Sequence, residues 1–138
     1  MAFNPYSLTN QLTYMKEFIW VFLGSGLGGV CRFTLSRWFT GLHHYFPYGT
    51  LVVNLLACFI LGLVVGLIDA KQLPGSTRFF LAAGFCGGFS TFSTFSHEMV
   101  TLYQGGHTTS VILYAAASVL FCLGATFGGL LLAQKIAS

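Results

Sequence analysis

The residues able to do chemistry gather in one stretch, Gly84-Phe85-Cys86-Gly87-Gly88-Phe89-Ser90-Thr91-Phe92-Ser93-Thr94-Phe95-Ser96-His97-Glu98. It begins as an apolar segment and becomes a three-residue repeat of Phe, Ser and Thr, opened by a Gly-Gly pair and followed by a lone glutamate. A hydroxyl in hydrocarbon needs a partner. These hydroxyls therefore either bond back to helix carbonyls or line a route for something polar. Two further pairs share this character: Thr50 with Asn54, and Tyr114 with Ser118. Each pair is spaced i, i+4 and so shares one helix face. Hydroxyl and amide groups donate hydrogen bonds to an anion without a fixed positive charge that would trap it, and weak multi-site coordination is what conduction demands. Phe89, Phe92 and Phe95 add a second device, because an aromatic ring edge is electropositive. The plainer alternative is an Asn54 amide bonded across to a neighbouring helix and phenylalanines that merely face lipid or core.

Other chemistries have less support. The acidic residues Glu17, Asp69 and Glu98 stand at three different segment ends and form no carboxylate pair, so an enzyme is not expected. A proton-coupled transporter places an ionisable residue at mid-membrane, and no run has a carboxylate at its centre. The cysteines Cys31, Cys58, Cys86 and Cys122 lack C-x-x-C spacing and read as small packing residues. Gly24 to Gly29 formally match G-x-G-x-x-G, but without a preceding strand the glycines signal close helix packing. Gly62-x-x-x-Gly66 and Gly124-x-x-x-Gly128 give the same signal. Arg32 either snorkels to the headgroups or faces a water-filled vestibule where it concentrates anions.

The elements that must position these groups are membrane spans. The 138 residues are 55% hydrophobic and 7% charged, against about 25% charged in a soluble domain. Six basic residues, scattered singly, give a net charge of +3 and no patch for nucleic acid. The expected class is an all-α integral membrane protein with spans at about 18–39, 48–68, 78–103 and 110–133, making one four-helix membrane domain over 18–138. Residues 1–17 read as a polar or interfacial arm carrying no evident secretory signal. His43 and His44 fall in a short turn and read as interfacial. Gly84, Gly87 and Gly88 make the third span the weakest helix, with a break expected at its middle. Freed carbonyls at membrane depth are tolerated where they are buried in protein, line a cavity or bind an ion.

The segment Gly87 to Phe95, together with Gly49-Thr50-Leu51-Val52-Val53-Asn54-Leu55, resembles the Fluc (CrcB) fluoride channel family. Gly28-Gly29-Val30-Cys31-Arg32-Phe33 on the first run and Tyr114 with Ser118 on the fourth agree with it. The resemblance covers about residues 18–134. It implies an antiparallel, dual-topology homodimer of four-helix subunits in the cell membrane, with two fluoride pores along the interface. Its function would be passive export of cytoplasmic fluoride. Asn54 would be the pore amide and Phe92 and Phe95 the ring-edge coordinators. Ser93, Thr94, Thr50, Tyr114 and Ser118 would form a hydroxyl track, with Arg32 at a vestibule and Glu98 near a pore end. The backbone carbonyls of Gly87 and Ser90 from both subunits would hold one structural Na+. The competing architecture is a small four-helix dimeric transporter of the multidrug-exporter type. Opposed insertion needs nearly balanced flanking charge. Lys16, Lys71, Arg78 and Lys135 against Arg37 leave a bias of about two or three.

Overall fold

A computed structural model describes the backbone of residues 5–39 and 46–138 and the side chains of 11–39 and 46–138. The expected interfacial histidines His43 and His44 lie outside the described residues. Helix α1 runs Pro5–Phe39 and α2 runs Tyr48–Asp69. A π-helical segment, Arg78–Cys86, continues into the single turn α3, Gly87–Phe89, and after a two-residue interruption into α4, Phe92–Gln104. Helix α5, Thr108–Ala137, completes the chain, and no strand occurs among the described residues. Four helical stretches are long and apolar enough to cross a bilayer, with bounds Gln11–Phe39, Tyr48–Asp69, Arg78–Gln104 and Thr108–Ala137. Large apolar side chains such as Phe22, Phe33, Leu120 and Phe127 are exposed on their outer faces, as lipid-facing surface requires. The chain is a multi-pass integral membrane protein.

One departure from the expected outline has a physical reason. The arm read at 1–17 is not separate from the first span, because α1 is helical from Pro5. Proline is well suited to the first turn, where its missing N–H would have had no partner, so Pro5 opens the helix. At 35 residues α1 spans roughly 52 Å, longer than a bilayer core of about 30 Å.

The expected break is present at the middle of the third span, just past the glycines. Gly87 keeps helical dihedrals (φ −64°, ψ −38°), whereas Ser90 (ψ 158°) and Thr91 (φ −150°, ψ 114°) are extended. The chain therefore opens just after the glycines. The glycines themselves serve packing. A Cβ on Gly24 would strike the Phe80 carbonyl, and one on Gly88 would lie 2.8 Å from the Ser25 Cα. Gly28 likewise lets α1 reach the backbone of Phe85 and Phe89. Gly26 and Gly29 face open space, so only one stripe of the first-run glycines makes the contact.

On the other side of the molecule α2 packs along α5. Gly62 lies against Thr126, Gly66 against Leu130 and Ala133, and Gly129 against Phe59 and Leu63. The expected Gly124-x-x-x-Gly128 contact is thus displaced: Gly124 faces open space, Gly128 only grazes the Phe59 ring at 3.9 Å, and Gly129 makes the close approach. In lipid such approaches replace the hydrophobic drive of water as the source of helix association. A small core of Val53, Ala57 and Phe89, with Cys31, Leu35 and Phe85 packed on it, joins α1, α2 and α3.

Candidate functional site: a helix break facing an uncharged donor column

The interruption at Ser90–Thr91 is held by side chains from two directions. Asn54 on α2 grips the Thr91 backbone on both sides, its Oδ1 accepting from the Thr91 N–H at 2.7 Å and its Nδ2 donating to the Thr91 carbonyl at 3.2 Å. Thr91 then caps α4, with its hydroxyl oxygen accepting from the Thr94 N–H at 3.1 Å. A Thr N-cap bonding the third residue of the helix satisfies one of the donors that a helix start leaves open. The same hydroxyl donates to Thr94 Oγ1 at 2.9 Å and lies 3.2 Å from Ser93 Oγ. Thr91 was not among the sequence candidates, although its place three residues before Thr94 is a capping pattern that could have found it.

These bonds have a consequence for the carbonyls. In an unbroken helix the Thr91 N–H would serve the Gly87 carbonyl and the Thr94 N–H the Ser90 carbonyl. Both donors are spent elsewhere, on Asn54 Oδ1 and Thr91 Oγ1. Gly87 lies on the exposed side of α3, and open space surrounds the position a Cβ would take. The neighbouring Gly88 carbonyl accepts from Arg32 Nε at 3.2 Å. Arg32 is thus half-buried with its guanidinium on the broken span.

Further along, Glu98 is the centre of a three-helix junction. The Thr50 hydroxyl of α2 donates to Glu98 Oε1 at 2.7 Å, and the Tyr114 hydroxyl of α5 donates to Oε2 at 2.8 Å. Sequence placed Glu98 toward the end of a span and treated Thr50 and Tyr114 as free donors; here the carboxylate engages both. Two charge-assisted bonds of this kind are worth about 1.5–3 kcal/mol each. Tyr114 is fully buried, flanked by Phe95 with ring centroids 4.9 Å apart and by Phe46 at 5.4 Å, which fixes the direction of its hydroxyl.

Phe92 and Phe95 adjoin one another at 5.6 Å between centroids, but their surroundings differ. Phe95 is half-buried against Tyr114, while Phe92 is 77% exposed on the outer face of the subunit. Ser93 is exposed and Thr94 half-buried. Ser118, one turn beyond Tyr114 on α5, is buried, and its hydroxyl is the one buried side-chain polar atom among the described residues with no hydrogen-bond partner. The fold therefore gathers Asn54, Thr91, Ser93 and Thr94 at the break and Thr50, Glu98, Tyr114 and Phe95 at the junction. Phe92 and Gly87 are left on the surface. No group of three or more His, Cys, Asp or Glu side chains is placed to hold a metal among the described residues.

Known proteins resemble this chain over nearly its whole length. A protein of Leptospira interrogans named fluoride-specific ion channel FluC is 37% identical over 120 residues, covering 86% of this chain and 94% of that protein. The proteins of the same name from Pyrococcus furiosus and Thermus thermophilus are 41% and 42% identical, covering 88% and 86% of this chain and 98% and 89% of theirs. The model of the family described as CrcB-like protein, Camphor Resistance (CrcB) matches residues 19–130, a range that reaches into all four spans and takes in every site residue above. With its broken third span and the column of amide and hydroxyl groups on α2, α4 and α5, this chain belongs to the CrcB family.

Proposed function

We propose that this chain is a passive, fluoride-selective ion channel that carries fluoride out of the cytoplasm across the cell membrane. The observation that carries the reading is the column of amide and hydroxyl donors within the apolar spans, among them a buried Ser118 hydroxyl with nothing to bond. An orphaned buried hydroxyl costs about 1–3 kcal/mol, a cost that a small hydrogen-bond acceptor arriving from water would relieve. The relatives' shared name, fluoride-specific ion channel, supports the choice of ion. Fluoride is small and strongly hydrated, so a selective path must replace its water with compact donors. Asn54 has a second amide hydrogen beyond the one given to Thr91, and Ser93, Thr94 and Ser118 offer hydroxyls. Thr50 and Tyr114 direct their protons at Glu98, so an anion at that level competes with a carboxylate for the same two donors. Such competition keeps the site weak, which favours passage over capture.

The working unit is an antiparallel homodimer with a pore on each side of the interface. Supporting this, the polar face of a single subunit is not enclosed: Phe92 and Gly87 lie on the outer surface, and Ser93 beside them is exposed. A second copy would bring ring edges against the first subunit's column. The charge bias of the flanks argues only weakly against opposed insertion.

A central Na+ also fits the chain. The Gly87 and Ser90 carbonyls lose their helical donors to Asn54 and Thr91, and carbonyl oxygens suit a hard monovalent cation. Held by these carbonyls from two subunits, the ion would neutralise their partial negative charge and tie the breaks together; Asn54 and Thr91 keep the carbonyls free to face it. The competing four-helix transporter lacks support at its own key position, since no mid-span carboxylate stands on α1.

The test is fluoride efflux from liposomes containing the purified protein, read with a fluoride electrode after a potassium ionophore is added, with chloride assayed in parallel. Fast fluoride loss without chloride loss is expected. Liposomes that stay tight to fluoride while holding well-folded dimer would refute the channel.

A further inference from the structure

The α2–α5 contact has a constant register. Thr50 and Tyr114 meet at Glu98, and three turns further on Gly62 meets Thr126. Both pairs have the same separation in sequence, so the helices run parallel without slipping. The same offset sets Cys58 of α2 opposite Cys122 of α5, one turn before the Gly62 contact. Each cysteine stands one turn before a residue of the Gly62–Thr126 contact, so both thiols lie on the facing sides of the two helices. Below them the helix axes are pinned close: a Cβ on Gly62 would sit 2.9 Å from the Thr126 carbonyl carbon, and one on Gly129 2.6 Å from the Leu63 nitrogen. Both cysteines are reduced and only half-buried, so they can be reached from the lipid side. A third thiol, Cys86, is buried, and no group of three thiols forms a ligand set among the described residues.

We infer that Cys58 and Cys122 form an intramembrane dithiol site for a two-coordinate soft divalent cation of the mercuric class. Ligand number and charge decide the class. Zinc wants four protein or water ligands in a tetrahedron, and hard cations want oxygen. A paired thiolate site of two sulfurs suits a soft ion content with linear coordination. Charge balance selects the divalent ion, because two thiolates and one divalent cation form a neutral group. A monovalent ion would leave a net negative charge in hydrocarbon, where an uncompensated charge is expensive. The reagent reaches the site as neutral mercuric chloride. Two S–Hg bonds then replace two Hg–Cl bonds, the two thiol protons leave with the chlorides, and no electron is transferred. The product staples α2, which carries Thr50 and Asn54, to α5, which carries Tyr114 and Ser118. The site stands apart from the transport reading, since it needs only the register of the two helices.

The experiment titrates the full-length protein in detergent micelles with mercuric chloride. It follows free thiols and intact mass, then locates the metal by peptide mapping. One equivalent is expected to remove two of the four thiols and to add one mercury with loss of two hydrogens, bridging the Cys58 and Cys122 peptides of a single chain. The double variant Cys31→Ala/Cys86→Ala keeps this stoichiometry. Adding Cys58→Ser or Cys122→Ser to it reduces the loss to one thiol per mercury. The inference is overturned by one thiol consumed per mercury in the wild type, by mercury joining two chains, or by thiols that react only after denaturation.

Discussion

Replacing Asn54 by Asp separates two contributions that the native side chain combines. The Thr91 N–H donates to Asn54 Oδ1 at 2.7 Å, and an aspartate oxygen would still accept it. The donation from Nδ2 to the Thr91 carbonyl at 3.2 Å is lost, and two oxygens face each other in its place. Leaving that half-buried carbonyl without its donor costs about 1–3 kcal/mol of stability. The new charge acts on transport instead. A carboxylate about 4 Å from a passing anion repels it by about 4 kcal/mol at an effective dielectric of about 20. At about 1.4 kcal/mol per decade, this corresponds to a fall in flux of about a thousandfold. The charge term exceeds the hydrogen-bond term, so Asn54→Asp is expected to abolish fluoride efflux while lowering the melting temperature only modestly. Asn54→Leu, which removes both bonds and adds no charge, should show the opposite emphasis, with the larger loss of thermal stability. The assay is the liposome efflux measurement, paired with gel filtration and a thermal melt of the same preparations. Folded Asn54→Asp protein that releases fluoride at the wild-type rate would refute the placement of Asn54 beside the ion's path.

Four other substitutions test the remaining parts. Thr91→Val deletes the cap of α4 and should cost about 1 kcal/mol, seen as a lower melting temperature in detergent together with slowed efflux; unchanged melting would mean that the Thr91 hydroxyl does not hold the helix start. Ser118→Ala removes a buried hydroxyl that has no partner, so the protein should be as stable as wild type or more so by about 1 kcal/mol, yet conduct fluoride more slowly; a clear loss of stability would show that the hydroxyl is satisfied within the fold. Gly62→Leu should disrupt the α2–α5 contact and yield aggregated protein on gel filtration, whereas Gly26→Ala, facing open space, should be indistinguishable from wild type, and equal behaviour of the two would contradict the packing register.

The sequence by itself determined the class of molecule. Hydrophobicity sustained over four runs leaves a bilayer as the only solvent, and the runs at 48–68 and 78–103 match the observed Tyr48–Asp69 and Arg78–Gln104 to within a residue. It also supplied the chemical inventory, since Asn54, the Ser/Thr repeat, Tyr114 and Ser118 are conspicuous in an apolar background. Only the tertiary structure decided how that inventory is spent. The break falls at Ser90–Thr91 because Asn54 from another helix compensates the freed Thr91 groups there, a pairing that helix propensity at Gly87 and Gly88 does not contain. Glu98 became a junction because α2 and α5 bring Thr50 and Tyr114 to it. The reason is common to these cases. In a span whose every face is apolar, periodicity does not say which side meets a neighbour, so glycine contacts such as Gly62 on Thr126 set the register, and the register assigns each polar group its partner.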